Sequence, residues 1–144
     1  MLQLVIASVM VTLTVLIHLA GLSGLVFVLD GPAGRLSKRS LFTQAVAILL
    51  AAFGLFALHT IEIWAYAGLY QYLGAVRTFE ESLYFSTTTY ATIGYGDVTL
   101  PKAWRILGAI EGANGIILLG WSTAFFLSIV GRIKRLEHDL EDKA

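Results

Sequence analysis

The residues best placed to do chemistry are Thr92-Ile93-Gly94-Tyr95-Gly96-Asp97. The chemistry they suit is coordination of a cation stripped of its water. Such an ion must have its hydration shell replaced by oxygens, and backbone carbonyls supply them as neutral dipoles. Alternating glycines, Gly94 and Gly96, allow positive φ, so successive carbonyls can turn toward one axis. The Thr92 hydroxyl can add a further oxygen at the inner end. Long apolar segments flank the stretch on both sides. Irregular backbone at that depth has no partners in lipid, and is tolerated only inside protein or along a water-filled path. The hexapeptide therefore either lies outside the membrane or lines a pore, and the residue order favours the pore.

The same residues resemble the signature filter of the tetrameric potassium channels. Ile93 stands where that family commonly has valine, and either residue offers an ion only its carbonyl. The resemblance covers Leu41 to Arg132. It implies an all-α integral membrane protein with three transmembrane helices, a re-entrant pore helix and an extended selectivity filter. It implies a homotetramer with K+ as the permeant ion, held by Thr92, Ile93, Gly94, Tyr95 and Gly96. By the same resemblance Asp97, Tyr84, Phe85 and Thr88 support the filter. The family often carries two tryptophans at the positions of Tyr84 and Phe85. Tyr84 can still donate, to Asp97 or nearby backbone, whereas Phe85 cannot donate to the Tyr95 hydroxyl. Gly115 lies near the flexible glycine of the family's inner helix, where it can serve as a gating hinge or as a packing contact.

Composition sets the elements that must position this stretch. The chain has 144 residues, 57% hydrophobic and 14% charged, with mean hydropathy +0.76. Ordinary globular domains are about 45–50% apolar and about 25% charged, so this is a membrane protein. Net charge is zero and cysteine is absent. Nucleic acid is not an expected partner, and disulfides and thiolate chemistry are excluded.

In order, residues 1–30 form an N-terminal transmembrane helix. They lack the basic start and cleavage site of a signal peptide, so the span is read as retained. Gly31-Pro32 breaks it, and Arg35, Lys38 and Arg39 follow. A pore domain spans residues 41–131, with outer helix 41–67, pore helix 78–91, filter 92–97 and inner helix 103–131. Thr78 and Glu81 have capping-box spacing. A helix from Phe79 to Tyr90 is only about 18 Å long, too short for a hydrocarbon layer of about 30 Å. It must re-enter, with its carboxyl end and unpaired carbonyls facing the membrane interior, where they favour a cation. Ser86, Thr87, Thr88 and Thr89 are read mainly as back-bonding to the preceding turn. Trp64, Tyr66, Tyr70, Tyr72 and Trp104 are placed in an outer aromatic belt. Residues 132–144 form a short cytoplasmic tail that continues the inner helix, with Ile133, Leu136 and Leu140 on one stripe. The basic clusters at Arg35–Arg39 and Arg132–Arg135 place the amino terminus outside and the carboxyl terminus in the cytoplasm, in a plasma (inner) membrane.

The ionisable residues within the spans are functional candidates. His59 and Glu62, like Glu111 and Asn114, are spaced i, i+3 on one helix face. Both glutamates fall about 10 Å below the outer surface by helical rise, level with the pore helix. Glu62 and Glu111 are therefore expected behind that helix, bonded to its hydroxyls or backbone, unless Glu62 reaches the headgroups. His18 lies mid-span, suited to packing against a neighbouring helix or to sensing protons.

These residues make no HExxH or GxSxG pattern, so an enzyme is not expected. The expected function is passive K+ conduction. A weakly selective monovalent cation channel and a non-conducting accessory subunit are the alternatives.

Overall fold

The structure, a computed structural model, describes residues 1–30 and 41–141. It is all-helical among the described residues, with no strand. Helix α1 covers Leu2–Asp30, α2 Leu41–Tyr72, α3 Phe79–Tyr90 and α4 Arg105–Glu141. Among the described residues three stretches are long and apolar enough to cross a membrane, namely Leu2–Leu29, Gln44–Tyr72 and Arg105–Arg132. Each has 28 or 29 residues, somewhat longer than the roughly 20 a crossing needs, which a tilted helix accommodates.

Helix α1 packs within its own chain, against both α2 and α4. It runs antiparallel to α2, with His18 beside Glu62, Gly21 beside Leu58, and Leu25 beside Gly54. It runs parallel to α4, with Thr14 beside Asn114 and His18 beside Ser122. Apolar layers hold the two ends of this bundle. Ala7, Met10, Tyr66, Tyr70, Ala75, Leu100 and Leu107 form one cluster. Leu22, Leu55 and Leu58 form the other, with Phe125 and Phe126 against them.

Helix α3 is the short wedge between α2 and α4. Thr78 caps it in extended geometry, and its side chain accepts from the Glu81 amide. The Glu81 carboxylate accepts in return from the Thr78 amide, closing the capping box. Its inner end lies against α4 at Gly115, where the two backbones meet.

Two features depart from expectation, and a third agrees with it. Helix α2 runs on to Tyr72, beyond the expected end at residue 67. Tyr66 and Tyr70 are fully buried and do not belong to an interfacial belt, whereas Trp64 and Tyr72 are exposed. The reason is helical phase: residues 62, 66 and 70 recur every four positions, so both tyrosines share the inward face of Glu62. The backbone of α4 continues to Glu141, but the side chains of the expected tail stripe lie outside the described residues. So does the turn at residues 31–40 with its basic cluster.

Two glycine contacts separate rigid from forgiving seams. A methyl group on Gly115 would overlap the Tyr90 carbonyl oxygen and lie 3.0 Å from the Tyr90 Cα. Backbone cannot yield there. A methyl on Gly54 would meet the tip of the Leu25 side chain, which can change rotamer. Gly115→Ala should therefore destabilise the fold by about 1–3 kcal/mol, the usual cost of overpacking, and Gly54→Ala by clearly less. Thermal unfolding of both variants in detergent tests this ranking.

Candidate ion pathway and the polar layer behind it

Positive φ recurs at every second residue after α3: Thr92 at 59°, Gly94 at 57° and Gly96 at 80°. Ile93 and Tyr95 between them keep ordinary φ. This alternation requires glycine at two of its three positions. At Thr92, a β-branched residue, positive φ costs on the order of 1–3 kcal/mol and persists only where the surroundings impose it. Residues 92–97 are all exposed in the single chain, with Ile93 at 52% and Tyr95 at 70%.

The imposing contacts come from the end of α3. The Ile93 and Gly94 amides donate to the Thr88 carbonyl at 2.8 and 3.1 Å, and the Thr92 amide donates to Thr89 at 3.0 Å. The Ala91 amide donates to the Thr87 carbonyl at 3.1 Å. The expectation of bare carbonyls at this helix end is thus corrected: those of Thr87, Thr88 and Thr89 hold the following loop. A helix end that must stop at membrane depth satisfies its last carbonyls with whatever backbone follows.

At the other end of the stretch, Tyr84 donates its hydroxyl to Asp97 at 2.8 Å. Phe85 packs edge-on against Tyr70, with ring centroids 5.3 Å apart, and so faces the apolar interior. Thr88 turns its hydroxyl back onto the Phe85 carbonyl at 3.1 Å, and Thr87 does the same to Leu83 at 2.7 Å. Ser86 departs from this habit. Its hydroxyl reaches the Ile63 carbonyl at 2.9 Å and the Glu111 carboxylate at 2.5 Å.

Behind α3 lies a buried polar layer drawn from all four helices. Glu111 accepts from Ser86 on one oxygen and from Tyr70 at 2.6 Å on the other. Asn114, one helical turn on, donates to Thr14 at 2.8 Å. Glu62 meets His18 at 2.9 Å and His59 at 3.1 Å, and accepts from the Tyr90 hydroxyl. Glu62 is fully buried, so it does not reach the headgroups. Each carboxylate has hydrogen-bond partners at both oxygens, the condition under which such groups survive burial.

Both acids, His18, Asn114 and the residues from Tyr84 to Thr88 were legible as candidates. Tyr70, Tyr90, Ser122 and Thr14 were not. A signal for Thr14 existed in its i, i+4 spacing from His18, which puts the two on one face of a mostly apolar helix. Ser122, eight residues from Asn114, and Tyr90, four from Ser86, lie on the same helix faces as those candidates, but the chain order does not say which residue each meets on another helix.

Two measurements check this arrangement. Glu111→Leu deprives the Tyr70 hydroxyl of its acceptor and should cost about 1–3 kcal/mol, with Glu111→Gln milder, by thermal unfolding. The Asp97 bond, burial and the Asp97 charge raise the Tyr84 phenol above its ordinary value. The Tyr84–Asp97 link is therefore whole below the usual tyrosine range and lost as pH rises through the raised value. Phenolate absorbance should show Tyr84 ionising late in the native protein, and at lower pH in Asp97→Asn.

Neither a curated protein nor a solved structure matches the chain. A family model described as ion channel matches residues 56–132, more than half of the chain and all of the pathway just described. The protein belongs to that ion channel family.

Proposed function

We propose that the protein is a potassium-selective channel, in which four copies surround one axis and the backbone carbonyls of Thr92 to Gly96 replace the hydration shell of K+. The observation that carries this reading is the alternation of positive φ at Thr92, Gly94 and Gly96. Reversing φ at alternate residues lets successive carbonyls face one side, where an extended strand would alternate them. One chain supplies a quarter of such a ring, and heterologous contacts between copies close it. Exposure of residues 92–97 in the single chain accords with an axial position in that ring. The apolar residues left exposed along the spans accord with a surround of lipid and neighbouring copies. The amino terminus is outside and the carboxyl terminus cytoplasmic, on the basic residues that follow the first and third spans.

A weakly selective cation channel is the second reading, favoured by Phe85. Its ring packs on Tyr70 and offers no hydrogen bond to brace the loop from outside. Among the described residues Tyr84 alone donates to Asp97.

The test is flux from sealed vesicles holding the purified protein, with K+ and Na+ gradients compared. K+ flux should exceed Na+ flux by about a hundredfold or more, a free-energy difference near 2.7 kcal/mol at the filter. A ratio near unity would favour the second reading. Gly94→Ala and Tyr95→Ala should abolish K+ flux while leaving the assembly's mass unchanged. Normal flux in Gly94→Ala would remove the filter from the mechanism, and a particle of one chain would refute the ring.

A further inference from the structure

We propose that His18, His59, Glu62 and Ser122 form a binding site for one shared, labile proton, and that this proton links ambient pH to the inner end of α3. The four side chains close a ring of hydrogen bonds. Glu62 Oε1 meets His18 Nδ1 at 2.9 Å, and His18 Nε2 meets Ser122 Oγ at 3.3 Å. Ser122 Oγ meets His59 Nε2 at 2.9 Å, and His59 Nδ1 returns to Glu62 Oε2 at 3.1 Å.

Each of these links needs a proton between its two atoms. A neutral imidazole brings one proton and a hydroxyl brings one, whereas an ionised carboxylate brings none. Two neutral histidines and Ser122 thus supply three protons to four links. In that state one imidazole lone pair must face an oxygen, and the ring carries a net negative charge at membrane depth, where an uncompensated charge is costly. One additional proton completes the last link and brings the ring to net zero. That proton belongs to the ring and not to any single member.

Among the described residues the surroundings do not provide the missing charge. Tyr90, on α3, spends its hydroxyl proton on Glu62 Oε2 and lies 2.9 Å from His59 Nδ1. Tyr66 on α2 and Glu111 on α4 are the other titratable groups whose fields reach Tyr90. Glu111 is held by Ser86 and Tyr70, and α1 contributes His18 alone at this level. Trp121 covers the His18 ring with centroids 5.4 Å apart. His18 and Glu62 are inaccessible, while His59 is 12% exposed, so His59 is the member at the open edge of the ring. A metal ion is the competing occupant, since His18, His59 and Glu62 bring suitable atoms within 4.8 Å of one another. Those atoms, however, already bond to each other and to Ser122, and an ion would have to replace these links.

The ring joins α1, α2 and α4, and Tyr90 attaches α3 to it immediately before the loop at Thr92. Tyr90 also seats Gly115 of α4 through its backbone. Loss of the shared proton leaves Glu62 and His59 competing for the Tyr90 hydroxyl, and so loosens the point where loop and inner helix meet. This consequence for conduction rests on the proposed pore; the proton site itself does not.

The test uses the full chain in lipid vesicles, in a His138→Gln background that leaves only the two ring histidines. Histidine nitrogen resonances and the Glu62 carboxyl infrared band, assigned with Glu62→Gln, are followed from about pH 4 to about pH 10. All three groups should change together at one midpoint. Ser122→Ala, or the milder His18→Gln, should move the His59 midpoint by about one pH unit, a tenfold change in proton affinity. Separate midpoints unaffected by Ser122→Ala, or no step at all, would overturn the site. Loss of the proton step on adding Zn2+ at fixed pH, with the same resonances shifted, would overturn it in favour of a metal site. In the same vesicles K+ flux should change about threefold or more across the midpoint, and this response should flatten in His18→Gln. A shared midpoint with K+ flux indifferent to pH overturns the link to conduction. A shared midpoint with no flux under any condition upholds the proton site and counts against the pore.

Discussion

A polar group at membrane depth must find its partner inside the protein, and the rest of this structure follows from that constraint. Three apolar helices meet it through their own backbone bonds. The stretch between α2 and α4 cannot, because it contains a helix too short to cross and a loop with alternating φ. It is tolerated because the ends of α3 are satisfied locally. Thr78 and Glu81 close the amino end, and the amides of residues 91–94 close the carboxyl end.

The buried acids obey the same rule one layer further back. Glu62 and Glu111 are inaccessible, and in isolation either would make its helix a poor membrane span. Each is met by hydroxyls or imidazoles from helices other than its own. The layer they form ties α1, α2 and α4 to α3. Helix α1 is therefore bonded into this layer, since His18 meets Glu62 and Thr14 accepts from Asn114. The polar layer meets the loop at the end of α3. Tyr90 stands between the two, with its side chain in the layer and its backbone against Gly115.

Much of the architecture was legible in the residues. Apolar runs of 28 or 29 residues can do little but span, and a capping box before a stretch too short to cross indicates re-entry. Alternating glycines before Asp97 pointed to a backbone needing positive φ, and the loop has it at Gly94 and Gly96. The positive φ at Thr92 was not legible, because a β-branched residue takes it only under tertiary constraint, here the bonds of residues 92–94 to Thr88 and Thr89.

Helical phase prevailed over residue type: Tyr66 and Tyr70 look like belt residues, yet their four-residue spacing from Glu62 turns them inward. What the amino-acid order alone determined was therefore everything governed by local period and length: the spans, the wedge, the glycine-bearing loop and the acids that had to be buried. What only the tertiary structure decided was pairing across helices. Ser122 with both histidines, Tyr90 with Glu62 and Tyr70 with Glu111 join positions 28 to 104 residues apart. Such bonds depend on how helices rotate and slide against one another, and no periodicity within a single helix encodes that.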